Sequence, residues 1–236
     1  MLERLDLVKL SPRRVLDAGS GPPQRALLKR YPQAQVISLD FSLEMLRAAR
    51  LGWFGKKPVP LCGDLTRLPL ADASVELAWS NMALHWLADP LGALRELQRV
   101  LAPEGLLMLS TLGPDTLKEL RAAAGEARVH AFIDMHDLGD MLVACGFAAP
   151  VMDMEMLHVA YSSPDALLDD LRRSGQTLAR VDRPRGLAGR RFAAGLREAL
   201  GATPRASFEI VYGHAWKAAA RAVSDAKTIQ FQRRIS

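Results

Sequence analysis

Four short apolar runs, RVLDAGS (14–20), QVISLDF (35–41), VPLCGDL (59–65) and VELAWSN (75–81), follow one another with stretches of helical spacing between them. This rhythm constrains the fold more than any other feature of the chain. Strands that are apolar almost throughout are buried on both faces, as in a parallel sheet with helices on each side. QRALLKRY (24–31) has helical spacing and stops at Pro32, and Ser42 is placed to cap a helix over LEMLRAAR (43–50). A further helix, LGALRELQRVL (91–101), runs into a turn at APEG and a fifth strand, GLLMLSTL (105–112). Beyond it, HDLGDMLVACGF (136–147) predicts a helix closed by Gly146. The alternating VMDMEMLHVAY (151–161) and SFEIVYGHAW (207–216) predict strands with one face less buried, separated by a helical, arginine-rich stretch over 164–205. The expectation is a doubly wound, mostly parallel α/β domain spanning 1–236. A short segment, 1–13, precedes the first strand, and a helical insertion interrupts an antiparallel edge.

A chain of 236 residues can bury one sizeable core. No apolar run approaches the ~20 residues of a membrane span, and 49% hydrophobic with 24% charged residues is a globular composition. The opening MLERLDLVKLSPRR lacks the apolar centre and small-residue cleavage site of a signal peptide, so a cytoplasmic protein with no membrane partner is expected. Cys62 and Cys145 share no ligand or disulfide spacing; both are expected as small buried hydrophobes, and no metal site is expected. The net charge of +5 hides an asymmetry. From Asp134 to Asp170 there are eight carboxylates and no lysine or arginine, whereas 172–205 holds nine arginines against Asp182 and Glu198. Either the two blocks pair as solvated faces, or the arginines form a surface for an anionic partner.

Asp17, Gly19 and Gly21 fall at the carboxyl end of the first strand, where open α/β sheets bind ligands. Asp40 ends the second strand 23 residues later, a position suited to accepting hydrogen bonds from a ribose diol, and Asp64 ends the third. Taken singly, Asp40 also reads as a helix cap and Asp64 as a turn residue; three acids at successive strand ends read as one crevice. A pyrophosphate wants a third glycine in GxGxxG and free amide donors, but Gln24 stands there, preceded by Pro22 and Pro23. S-adenosylmethionine, a sulfonium nucleoside without phosphate, needs only backbone clearance and suits acidic strand ends. Pro23 also fits a helix start ahead of Gln24.

DAGSG, Asp40, GD at 63–64, SNMALHW (80–86) and LAPEG (101–105) together resemble the class I S-adenosylmethionine-dependent methyltransferases. GPDTLKELR (113–121), FIDMHDLGDMLVACGF (132–147) and YGHAW (212–216) narrow the resemblance to the malonyl-acyl-carrier-protein O-methyltransferases of biotin synthesis, the BioC family. It covers about residues 13–217. The resemblance implies a seven-stranded Rossmann-like sheet, with Asp17 and Gly19 bordering the methionine part of the cofactor and Gly21 allowing close approach. Asp40 would hold the ribose hydroxyls, Asp64 with Leu65 would receive the adenine amino group, and Ser80, Asn81 and Met82 would lie under the sulfonium. The acceptor implied is the free carboxylate of a malonyl thioester, on acyl carrier protein or coenzyme A. Such a carboxylate is ionised at neutral pH, so alignment and exclusion of water would suffice without a catalytic base, and an arginine would orient it by a bidentate pair.

His85 and His136 are candidate substrate contacts, with packing or capping as the alternative for each. Arg172, Arg173, Arg190 and Arg191 are candidates for steering an acidic carrier protein. Relatives of this type carry a longer segment, with an aromatic residue, before the first strand, and a glycine where Pro23 stands; a shortened lid and weaker cofactor retention are therefore expected. Other readings keep the cofactor but change the acceptor to another small molecule or a protein side chain, or make the chain a non-catalytic assembly protein. A mitochondrial complex I assembly factor linked to arginine hydroxylation resembles the same branch. Nucleic acid is disfavoured as a partner. SNMALHW replaces the D/N/S-Pro-Pro-aromatic motif of base methylation, and only Phe192 and Phe208 lie near the arginine block.

Overall fold

The computed structural model describes residues 1–21, 25–48, 57–176 and 189–219. The parallel strands β1 (Arg14–Ala18), β2 (Gln35–Asp40), β3 (Val59–Cys62), β4 (Val75–Asn81) and β5 (Leu101–Leu112) share one sheet with β6 (Phe147–Ala160) and β7 (Arg205–Lys217). The order is β3-β2-β1-β4-β5-β7-β6, with β7 antiparallel to both its neighbours. The chain steps outwards from β1 to β3 and returns on the other side of β1 with β4. That reversal opens a crevice above the carboxyl ends of β1 and β4. The seven-stranded α/β sheet and its antiparallel edge agree with the sequence reading.

Helices α1 (Arg25–Arg30), α2 (Leu43–Ala48), α3 (Pro90–Val100), α4 (Lys118–Ala124), α5 (Met135–Ala144), α6 (Pro164–Arg173) and α7 (Arg190–Leu200) surround the sheet. Strand alternation feeds two cores. Leu16, Ala78 and Leu107 point to the face covered by Leu94 and Leu97 of α3 and by Leu138 and Leu142 of α5. Their neighbours Val15, Leu77 and Leu106 point to the other face, against Leu27 of α1 and Leu5. A satellite cluster of Leu117, Val129, Leu167, Leu171 and Ala206 joins α6 to the segment around α4. Caps fix the starts: Asp89 accepts from the Gly92 amide, Asp134 from that of His136, and Ser163 from that of Ala166. Ser42 likewise accepts from the Met45 amide at 3.3 Å, and Gly146, at φ +83°, closes α5.

Several boundaries differ from the sequence expectation. The predicted turn at 102–105 is a bulge inside β5, because the pairing with β4 jumps from Val75–Leu101 to Leu77–Leu106. The excursion closes tightly: Glu104 sits at φ +60°, and a Cβ on Gly105 would come 2.8 Å from the Ala102 carbonyl oxygen. β3 stops at Cys62, so Asp64 lies in the turn beyond it. β6 begins four residues before the predicted 151, through an irregularity at Ala149, φ +47°. Cys62 is exposed on the outermost strand and Cys145 only half-buried, which corrects the expectation that both are buried. The predicted helix start at Pro23–Gln24, residues 49–50 of the second helix, and Arg180, Arg183 and Arg185 lie outside the described residues. Among the described residues no helix is long and apolar enough to cross a membrane, and no group of side chains could hold a metal ion.

Arg99 on α3 clamps the β3–β4 connection to that helix. Its guanidinium donates to Glu96 at 2.8 Å, to Asp72 at 2.6 Å and to the carbonyls of Leu70 and Leu68 at 2.8 and 3.0 Å. Glu96 in turn accepts from the Leu68 amide at 2.7 Å, and the guanidinium holds the Glu96 carboxyl below the usual carboxylate range. Arg99→Met is expected to cost roughly 2 kcal/mol in urea unfolding, since several charge-assisted bonds are lost from a site that is only partly solvated.

Candidate active site

A cavity of about 690 Å3 opens where β1, β2, β3 and β4 end, within the ~300–1,000 Å3 usual for small-molecule sites. The turn after β1 forms its floor. The Gly19 and Ser20 amides both donate to the Leu39 carbonyl at 2.9 Å, which pins the turn to β2. Gly19 sits at φ +74° and Gly21 at φ +52°. A Cβ on Gly19 would fall 2.4 Å from the Ala83 Cβ, so glycine lets two walls of the cavity meet.

Asp40 is held from both sides. Its Oδ2 accepts from the Gly21 amide and its Oδ1 from the Ser42 amide, each at 2.8 Å. Each oxygen keeps lone-pair capacity for a further donor, the geometry a vicinal diol requires. Asp64 accepts from the amide and hydroxyl of Thr66, both at 2.8 Å on Oδ1, and these bonds hold its carboxyl below the usual range. At the end of β4, Met82 adopts φ +57°, and its amide donates to the Ser110 carbonyl at 2.9 Å. The Ser110 hydroxyl donates to Asn81 Oδ1 at 2.8 Å. Trp86, Leu87, the α3 cap Asp89, Phe41 and Met45 complete the lining. Three carboxylates, Asp40, Asp64 and Asp89, therefore line the cavity, and no lysine or arginine does among the described residues. Such a wall favours a cation and disfavours phosphate, which fits S-adenosylmethionine.

Gly19, Gly21, Asp40, Asp64, Leu65, Asn81 and Met82, singled out from sequence, line this one cavity. Asp17 and Ser80 lie beneath it inside β1 and β4, at 1% and 0% exposure. Phe41, Met45, Thr66, Ala83, Trp86 and Asp89 line it too and were missed. Ala83 and Trp86 stood within SNMALHW, and Phe41 directly follows Asp40, so adjacency was the available signal.

His136 is exposed on α5 and bonded to Asp134 at 2.9 Å, away from the cavity lining. Arg172, Arg173, Arg190 and Arg191 are exposed on α6 and α7. Arg173 pairs with Asp169 at 2.8 Å, and Arg197 with Asp165 at 2.7 Å, so the two charge blocks do meet in part. Arg172, Arg190 and Arg191 form no ion pair among the described residues.

His85 packs behind the cavity wall. Burial, with His130 nearby, pushes its pKa down to about 4 from the ordinary 6.5. The unfolded chain takes up this proton near pH 6.5 and the folded chain only near 4, so the stability contributed by neutral His85 is present above that window and falls as pH drops through it. Between pH 7 and pH 5 the loss is expected to be about 2 kcal/mol. Urea unfolding at both pH values measures it, with His85→Gln removing that part of the slope.

Among solved structures, the YcgJ protein of Bacillus subtilis superposes with a TM-score of 0.66 at 16% identity, covering 92% of this chain and 96% of its own. An S-adenosylmethionine-dependent methyltransferase of Mesorhizobium loti gives 0.54 at 18% identity, covering 91% and 95%. Residues 16–109 match the family model described as a methyltransferase domain. Fold, crevice and domain match together define a class I S-adenosylmethionine-dependent methyltransferase. The malonyl-acyl-carrier-protein O-methyltransferase of Methylovorus sp. (strain MP688) is 48% identical, covering 100% of this chain and 86% of that relative. That of Gallionella capsiferriformans (strain ES-2) is 46% identical, covering 97% and 85%. The chain belongs to the malonyl-acyl-carrier-protein O-methyltransferase family.

Proposed function

We propose that this protein transfers the methyl group of S-adenosylmethionine to the free carboxylate of a malonyl thioester on acyl carrier protein or coenzyme A. This is the step of biotin synthesis that the sequence resemblance implies. The observation that carries the reading is the cavity lined by Asp40, Asp64 and Asp89, with no cationic side chain among its described lining residues. The names of the relatives, methyltransferases of malonyl-acyl carrier protein, supply the acceptor.

When bound, the cofactor supplies an electrophilic methyl group on a positively charged sulfur. Asp40, oriented by the Gly21 and Ser42 amides, receives the ribose hydroxyls. Asp64 and Leu65 meet the adenine edge, Gly19 and Gly21 give the backbone clearance, and Asn81 and Met82 set the depth at the sulfonium end. Asp17 and Ser80 support this floor from below. Because the acceptor carboxylate is already ionised at neutral pH, no side chain has to take its proton. The site's work is to align the oxygen with the methyl group and exclude water, so that opposite charges neutralise in a poorly solvated space.

The whole chain, 1–236, serves as one methyltransferase domain, and α6 and α7 face the carrier. Arg172, Arg173, Arg190 and Arg191 there present positive charge to an acidic carrier protein and its phosphopantetheine arm. Incubation with methyl-labelled S-adenosylmethionine and either malonyl-acyl carrier protein or malonyl-CoA tests the reading. A labelled methyl ester on the malonyl group is expected. Protein that binds the cofactor yet labels neither acceptor sinks it.

A further inference from the structure

A second, smaller cavity of about 200 Å3 lies beside the first, lined by His130 and Phe132 together with Pro114 and Arg121. Four rings stand between the two. Trp86, on the wall of the cofactor cavity, meets His130 edge-on with centroids 5.8 Å apart. His85 lies against both Trp86, at 5.1 Å, and Phe132, at 6.0 Å. His85 is thus held at the partition by one ring from each cavity.

Its two nitrogens differ. Nδ1 is 3.5 Å from Thr111 Oγ1 on β5. Nε2 is sealed from solvent and has no hydrogen-bond partner among the described residues. A buried polar nitrogen left in this way is costly, and a ligand oxygen that reaches it recovers that cost. The cation at the smaller cavity is already committed: Arg121 donates to the carbonyls of Pro114, Thr116 and His130 at 2.7, 3.2 and 3.4 Å, and pairs with Glu126 at 3.4 Å. Among the described residues no other arginine lines either cavity.

We infer that His85 orients the acceptor. Thr111 Oγ1–H donates to Nδ1, the ring proton sits on Nε2, and a short acyl thioester entering through the smaller cavity turns the Phe132 ring aside, so that Nε2–H donates to one of its carboxylate oxygens. This rests on the malonyl thioester reading above. The second carboxylate oxygen forms the bond to the methyl carbon while the carbon–sulfur bond breaks, and the electron pair stays on sulfur. Anion and cation become ester and thioether, and no proton moves. A guanidinium would grip both oxygens and stabilise the charge that must attack, whereas a neutral N–H positions one oxygen and leaves the other free. Burial keeps His85 neutral at physiological pH, consistent with that role.

Calorimetric titration of malonyl-CoA and of malonyl-acyl carrier protein into protein saturated with S-adenosylhomocysteine tests the inference. His85→Phe is expected to weaken malonyl thioester binding about 10- to 100-fold, the effect of one hydrogen bond to a charged group. Its affinity for S-adenosylhomocysteine should stay within about twofold, and His85→Gln, which keeps an N–H donor, should bind the thioester within about threefold of wild type. A purely packing role gives the opposite order, with the aromatic variant tolerated and glutamine not. Phenylalanine binding as wild type does, or glutamine as weak as phenylalanine, overturns the role of His85. Wild-type protein that holds S-adenosylhomocysteine but neither malonyl thioester overturns the acceptor assignment itself, and the role of His85 with it.

Discussion

Asp40→Ala is expected to raise the dissociation constant for S-adenosylmethionine by about two orders of magnitude. A carboxylate accepting two ribose hydroxyls makes charge-assisted bonds of ~1.5–3 kcal/mol each, and about 3 kcal/mol in total corresponds to a factor above 100. The same change strands the Gly21 and Ser42 amides that the carboxylate now satisfies, so the turn after β1 keeps only its Gly19 and Ser20 bonds to Leu39 as a tie to β2. Asp40→Asn is expected to be nearly as damaging. An amide has one acceptor oxygen, and its NH2 end would face one of these two backbone donors. Titration calorimetry gives the affinity, and a thermal melt of the same samples separates lost binding from lost folding. Affinity within about threefold of wild type in folded Asp40→Ala protein removes the ribose assignment.

Gly19→Ala is expected to abolish measurable cofactor binding. Two costs coincide there: alanine at φ +74° pays ~1 kcal/mol or more in the left-handed region, and its Cβ would overlap the Ala83 Cβ at 2.4 Å. Relief requires moving Ala83, which belongs to the cavity wall after β4. Gly21→Ala is the informative comparison, because at φ +52° its Cβ would meet nothing closer among the described residues than the Met45 methyl at 3.8 Å. It carries the backbone cost alone and should bind more weakly, yet measurably. Gly19→Ala combined with Ala83→Gly restores the space without relieving the backbone, and is expected to regain part of the binding. If Gly19→Ala and Gly21→Ala bind alike, steric contact with Ala83 is not what makes Gly19 necessary.

The sheet was legible because its strands carry their signal locally. Leu16, Ala78 and Leu107 on one face and Val15, Leu77 and Leu106 on the other leave almost no polar residue to confuse the reading. What failed was decided by pairing between distant segments. The APEG bulge depends on where β5 registers against β4, and the early start of β6 depends on Phe147 and Ala148 pairing with Lys217 and Trp216. Within the site, Asp40 at the end of β2 and Asp64 just past β3 were readable because strand spacing alone brings them together, whereas Asp17 stays buried inside β1. Trp86 and Asp89 reach the cavity through a segment after β4 whose path starts from the Met82–Ser110 bond, a contact between residues 28 apart. The charge blocks were ambiguous for the same reason. Whether Arg197 meets Asp165 depends on how α6 and α7 pack, and local spacing does not encode that.

Met82 carries a further meaning. A bulky side chain at φ +57° is held in a conformation that costs of order 1–3 kcal/mol and survives only because its surroundings insist on it. The surroundings here are Ser110, which anchors its amide, and the cavity that its side chain lines. Glycine at 82 would relax the backbone and leave a hole in the cavity wall. A relaxed backbone and a filled cavity wall therefore ask for different residues at this one position.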